Sequence, residues 1–105
     1  MKNFFGKVAV ITGGADGIGK AIARACAARG MKLVLADISE ERLQRTVAEL
    51  AAEGAEVIGV AGNVAVEADV QALADKAFAQ FGKVHLLVNN AGVALAKNAW
   101  ETTQA

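Results

Sequence analysis

Four short apolar runs, Val8 to Ile11, Leu33 to Ala36, Val57 to Val60 and Val84 to Val88, punctuate the chain. Between them, apolar residues recur at three- and four-residue steps, which is helical spacing. Ile18, Ile22, Ala25 and Arg29 form one such stripe; Leu43, Val47 and Leu50 a second; Val66, Val70, Leu73, Ala77 and Phe81 a third. Strand and helix therefore alternate, and each helix has one apolar face to bury. Gly30, Gly54 and Gly82 each fall just past a helical stripe and just ahead of the next strand. A left-handed residue that ends a helix is wanted at that place.

The apolar runs lack polar alternation, as expected of parallel strands covered on both faces. With right-handed crossovers, this βαβαβαβ pattern gives an α/β fold, a Rossmann-type three-layer sandwich with about four parallel strands in the order 3-2-1-4. At 105 residues the expectation is a single domain spanning 1–105. No linker, repeat or low-complexity stretch divides it. Trp100-Glu101-Thr102-Thr103 reads as the opening of a further helix, so 99–105 is expected to be an incomplete one. The fourth strand then becomes a sheet edge with one side uncovered, and self-association into a homo-oligomer through that side is expected.

The first strand runs into Thr12-Gly13-Gly14-Ala15-Asp16-Gly17-Ile18-Gly19 and then directly into the first helix. A helix N-terminus presents unpaired N–H groups and the positive end of the dipole, and glycines let a phosphate approach the backbone. Asp37 ends the second strand about 20 residues later, where a carboxylate accepts hydrogen bonds from a ribose diol and repels a 2′-phosphate. The plainer role for Asp37 is to cap the turn before the helix that starts near Ser39. Gly14 to Lys20 also satisfies most of a nucleotide-hydrolase loop, but Ala21 stands where magnesium needs a hydroxyl. Lys20 is accordingly expected to be a solvated helix residue. An S-adenosylmethionine-binding fold, which also pairs a glycine turn with an acid after the second strand, stays open at this point.

Composition narrows the partners. Eleven basic and eleven acidic side chains cancel, with no basic run to serve nucleic acid or an anionic membrane. No apolar stretch reaches the roughly 18 residues of a membrane span, and no signal segment precedes the first strand. Cys26 is the only cysteine, expected to be a small buried hydrophobe in a reducing, cytoplasmic setting. There is no tyrosine and only one serine, Ser39.

Asn89-Asn90-Ala91-Gly92 follows the fourth strand. With the glycine turn, Asp37 and Asn63-Val64 in this order and spacing, the chain resembles the short-chain dehydrogenase/reductase family over essentially its whole length. The resemblance implies an oxidoreductase that transfers hydride between a nicotinamide cofactor and a carbonyl or alcohol. It implies that Gly13, Asp16, Gly17, Ile18 and Gly19 lie along the cofactor diphosphate, with Ile18 packed against it. Asp37, with Ile38 beside it, would hold the adenosine ribose, and Asn63 and Val64 the adenine edge. Asn90, Ala91 and Gly92 would run along the cofactor. Asp37 makes NAD, rather than NADP, the expected cofactor.

Several positions depart from the family pattern. Asn63 replaces the more usual aspartate, and its carbonyl can still accept from an adenine amino group. Ala65 stands where Ser or Thr usually caps a helix, a change worth about 1 kcal/mol. Asp16 would repel a pyrophosphate unless turned to solvent, which makes it a turn residue within the loop. His85 lies in a predicted strand without a carboxylate or metal-ligand companion and reads as structural; Trp100 reads as packing. The tyrosine, lysine and serine that carry the family's proton transfer have no counterpart, so no catalytic residue is assigned. The chain is thus expected to be the cofactor-binding half of such an enzyme, truncated or standing alone. It would work with a second chain, hold NAD(H) as a non-catalytic module, or persist as a self-associating remnant.

Overall fold

Branched apolar residues favour extended backbone, and the first run forms β1, Val8–Thr12. In the computed structural model, which describes residues 4–13, 15 and 17–89, α1 (Gly17–Ala28), β2 (Lys32–Asp37), α2 (Glu40–Ala52), β3 (Val57–Ala61), α3 (Glu67–Phe81) and β4 (Leu86–Asn89) follow. Gly14, Asp16, Asn90, Ala91, Gly92, Trp100 and the helix expected at 99–105 lie outside the described residues. All strand pairs are parallel, in the order β3-β2-β1-β4, which is the predicted order. Among the described residues β4 pairs with β1 alone.

Alternate strand residues feed two cores. Ala9, Ile11, Leu33 and Leu35 pack with Ala23 and Cys26 of α1 and Leu43 and Leu50 of α2. On the other face Val8, Val10, Val34, Ala36 and Val60 pack with Leu73 and Ala77 of α3. Two helices therefore cover one face and one helix the other, as right-handed crossovers require for this order. Gly59 sits where α2 crosses β3: a Cβ there would lie 2.9 Å from Val47 Cγ2 and 3.0 Å from Leu43 Cγ. The helix comes that close because the strand carries no side chain at that point.

The expected glycine stops hold. Gly30, Gly54 and Gly82 have φ of +79°, +96° and +79°. At Gly30, the Gly30 and Met31 N–H groups close back onto the Ala27 and Cys26 carbonyls, satisfying the helix's last acceptors.

Three local expectations change. The α1 stripe is misplaced: the buried residues are Gly19, Ala23 and Cys26, while Ile18 is 68% exposed and Ala25 and Arg29 face solvent. Small side chains, not large ones, let α1 lie close on the sheet. α3 begins after Val66, which is its N-cap and exposed, so Val66 leaves the α3 stripe, whereas Leu73 and Ala77 are buried as expected. The fourth strand begins at Leu86, not Val84, because a side chain takes the rung before it. His85 N–H donates to the Val8 carbonyl at 2.9 Å, and Val8 N–H donates to His85 Nδ1 at 3.0 Å. His85 is thus a structural histidine just ahead of β4, in the neutral tautomer that leaves Nδ1 as acceptor.

Lys20 is not simply solvated. Its Nζ lies 2.7 Å from Glu49, and Arg24 bonds Glu49 at 3.2 Å and Glu53 at 2.8 Å, which joins α1 to α2 on their outer faces. The hydrogen bond from Lys20 holds the Glu49 carboxyl below its ordinary range, and that from Arg24 does the same for Glu53. Cys26 is buried, and burial pushes its thiol up. No helix of the described residues is long and apolar enough to cross a membrane.

Candidate functional site

Parallel winding brings the C-terminal ends of all strands to one end of the sheet. There the chain leaves β1 at Gly13, β2 at Ile38, β3 at Gly62 and β4 after Asn89. The order reverses between β1 and β4, and ligands of open α/β sheets bind outside such a switch point. Thr12 and Asn89 face each other across it, and the buried Thr12 hydroxyl lies 3.1 Å from Asn89 Oδ1 and 3.4 Å from the Val88 carbonyl. The two strand ends are held together beneath the crevice.

Gly13 turns the chain out of β1 with φ +67°, a left-handed conformation that favours glycine. Gly19 is buried against the sheet. Gly17 is different: it opens α1 without a positive φ, and among the described residues a Cβ added to it would meet nothing within 4 Å. Neither backbone strain nor internal packing demands glycine there. Ile18 and Ile38, each 68% exposed, stand near the same end of the sheet.

Asp37 is buried at the tip of β2. Its Oδ1 accepts the Ser39 N–H at 2.9 Å and its Oδ2 the Ala15 N–H at 3.2 Å, while Arg42 Nη2 stands 3.7 Å from Oδ1. The turn-capping role is therefore present. So is a bond that the sequence did not announce, from β2 into the glycine turn. Each carboxylate oxygen retains a lone pair, since the group can accept about four hydrogen bonds. Gly62 N–H donates to the Asp37 carbonyl, which carries the β2–β3 ladder past the end of β3.

Asn63 and Val64 line a shallow depression, together with Ala36, Val60, Gly62, Asp69 and Leu73. Asn63 Oδ1 accepts the Ala65 N–H at 2.9 Å, and Asn63 N–H donates to Asp69 Oδ2 at 2.9 Å. Asp69 was missed from sequence; it ties the loop after β3 to the first turn of α3. The N-cap Val66 itself makes no side-chain hydrogen bond. The cap expected at Ala65 thus falls one residue later. A larger cleft, ≈ 600 Å³, lies at the opposite end of the strands against Phe5, Gly6, Gly30 and Gly54. It gathers no group of potential metal ligands, and none occurs among the described residues.

His85, just ahead of β4 at the opposite end of the sheet, and Lys20, paired with Glu49 of α2, both lie away from the crevice. That removes the hydrolase reading of the loop, which needs its lysine on a phosphate.

Comparison with known proteins agrees with this geometry. The short chain dehydrogenase family matches residues 7–105. A CLA biosynthesis dehydrogenase/reductase of Lactiplantibacillus plantarum is 46% identical over 101 residues, covering 96% of this chain and 35% of that protein. D-threitol dehydrogenase of Mycolicibacterium smegmatis is 41% identical over 107 residues, covering 95% and 41%. A Burkholderia phymatum short chain dehydrogenase/reductase, solved with NAD, superposes with a TM-score of 0.81 at 61% identity, over 83% of this chain and 31% of that one. L-sorbose reductase of Gluconobacter frateurii, solved with NADPH and L-sorbose, gives a TM-score of 0.83 at 41% identity, over 86% and 35%. The chain thus spans roughly a third to two fifths of the length of these relatives. The methyltransferase alternative falls away, and the chain belongs to the short-chain dehydrogenase/reductase family.

Proposed function

We propose that this chain is the nicotinamide-dinucleotide-binding portion of an oxidoreductase, and that its site is Gly13, Asp16, Gly17, Ile18, Gly19, Asp37, Ile38, Asn63, Val64, Asn90, Ala91 and Gly92. The observation that carries the reading is Gly17, where no described residue comes within 4 Å of the place a side chain would take. A phosphate fits there, against the N-terminus of α1. The free lone pairs on Asp37 suit a ribose diol, and Asn63 and Val64 stand beside it at the end of β3. Asn63 Oδ1, which already accepts from Ala65, has one lone pair left for an adenine amino group.

A bound nicotinamide would supply hydride transfer. This chain's residues bind and orient it: the glycine turn by backbone N–H groups, Asp37 by anchoring the ribose, and Thr12 with Asn89 by fixing the strand ends below. The sequence contains no tyrosine to move the accompanying proton as the family does. Reduction of a carbonyl is therefore assigned to the chain together with residues outside this sequence.

Titration with NADH tests the proposal. Enhanced or blue-shifted nicotinamide fluorescence is expected from wild type and not from Gly17→Val, whose Cβ meets no described residue within 4 Å and whose fold is checked by far-UV circular dichroism. Unchanged fluorescence at millimolar NADH would refute it. A second reading rests on β4, which among the described residues has one strand neighbour and only half-buried side chains. Homo-oligomerisation through that side predicts a sedimentation coefficient that rises with concentration, and a strictly monomeric chain excludes it. The buried, unpaired Cys26 suits a reducing cytoplasm.

A further inference from the structure

The pairing of β4 with β1 begins on a side chain that a proton can take out of action. β4 is four residues long and, among the described residues, has β1 as its one strand neighbour. Its register runs from Ala9 opposite Leu86 to Thr12 opposite Asn89, so the rung before it belongs to Val8 and His85. Two hydrogen bonds close that rung: His85 N–H to the Val8 carbonyl at 2.9 Å, and Val8 N–H to His85 Nδ1 at 3.0 Å. The second needs a bare lone pair on Nδ1, which the neutral Nε2–H tautomer offers; in the imidazolium both ring nitrogens are donors. Val8 is 2% exposed whereas His85 is exposed, so protons reach the acceptor while the donor it serves is buried.

We propose that His85 is a pH-sensitive latch, which holds the base of β4 on β1 while its imidazole is neutral and releases it when the imidazole takes a second proton. That proton sits on Nδ1 and faces the Val8 N–H, donor against donor, so the ring turns out to solvent and leaves a buried N–H without its acceptor. The paired state therefore binds fewer protons than the released one. Pairing is favoured at higher pH and weakens as pH falls through the range in which imidazoles gain charge, about pH 8 to 5. The charged side chains on the neighbouring elements are Lys7 ahead of β1, Lys83 ahead of β4 and Lys32 at the start of β2, the last 3.9 Å from Glu56. Asp75, the acid nearest the end of α3, accepts from Gln71. Among the described residues no carboxylate pairs with His85, so the imidazolium gains no partner in exchange for the bond it loses. At its other end β4 brings Asn89 opposite Thr12, and release of its base loosens that wall of the crevice. The inference stands on the strand pairing and goes beyond the dinucleotide reading, so either can fail without the other.

His85 is the only histidine of the chain, so its ring resonances are unambiguous. Glu49 and Glu53 are held low and Cys26 is pushed up, which keeps each in one charge state between about pH 8 and about pH 5.5. Nitrogen shifts of the isotope-labelled full chain at about pH 8 should show the Nε2–H tautomer. Hydrogen exchange, corrected for its intrinsic pH dependence, should show protection at Val8 and across Leu86–Asn89 falling about tenfold from about pH 8 to about pH 5.5. His85→Asn sets an amide oxygen where Nδ1 stood and does not titrate; its protection should change less than about twofold over the same span, with far-UV circular dichroism to check its fold. A hydrogen on Nδ1 at about pH 8, or wild-type protection that is the same at both pH values, overturns the inference. So does an equal fall in His85→Asn. The first two results are read on wild type alone, so the test stands even where the variant does not fold.

Discussion

Removing the Asp37 carboxylate should cost the protein stability even with no cofactor present. In Asp37→Ala the Ser39 and Ala15 N–H groups lose their acceptors at 2.9 and 3.2 Å. The shorter bond, to a buried carboxylate, is worth about 1.5 kcal/mol; the longer is near the limit of good geometry and is worth about 0.5 kcal/mol. The exposed Arg42 contact at 3.7 Å adds little. The sum is about 2 kcal/mol, a large share of the roughly 5–10 kcal/mol that holds such a domain folded. At a urea dependence of about 1–2 kcal/mol per molar, the midpoint should fall by about 1–2 M. Asp37→Asn keeps one carbonyl acceptor and should lose about half as much. Urea denaturation followed by circular dichroism measures the midpoint, and hydrogen exchange at Ala15 reports the glycine turn directly. A midpoint within about 0.2 M of wild type, with Ala15 protection unchanged, would show that Asp37 does not hold the turn.

Gly59→Val puts a branched side chain where a Cβ already comes within 2.9 Å of Val47 Cγ2. Overpacking of this kind should cost about 1–3 kcal/mol and lower the melting temperature by about 5–15 °C in a thermal scan, despite the strand preference of valine. The lowered carboxyls of Glu49 and Glu53 contribute stability that is present above the ordinary carboxylate range and lost as pH falls through their folded values. Denaturation midpoints of wild type should therefore drop more steeply toward acid than those of Glu49→Gln/Glu53→Gln, and the gap should close in high salt.

Much of this fold is legible in the sequence because it rests on period and punctuation. The runs from Val8, Leu33 and Val57 became strands, and Gly30, Gly54 and Gly82 ended helices with positive φ. The order β3-β2-β1-β4 follows from handedness once the alternation is seen. What was not legible depends on close approach and on side chains that replace backbone partners. The α1 face was drawn through Ile18, but Gly19, Ala23 and Cys26 lie on the sheet because their small size permits it. His85 Nδ1 takes a place in the β1–β4 ladder that no periodicity reveals. At the candidate site, Asp37 was singled out by its spacing from the glycine turn and Asn63 by the family resemblance alone. Their partners Ala15, Arg42 and Asp69 were not, because each is brought close only by the folded ends of different elements.

The most direct test of the central claim is a map of where the dinucleotide touches. Amide chemical shifts of isotope-labelled chain titrated with NAD should move at Gly13, Ala15, Gly17, Ile38, Asn63 and Val64, around the C-terminal ends of the strands. Gly6, Gly30 and Gly54, which line the larger cleft at the other end, should stay in place. Shifts confined to that opposite cleft, or none at saturating NAD, would contradict the account.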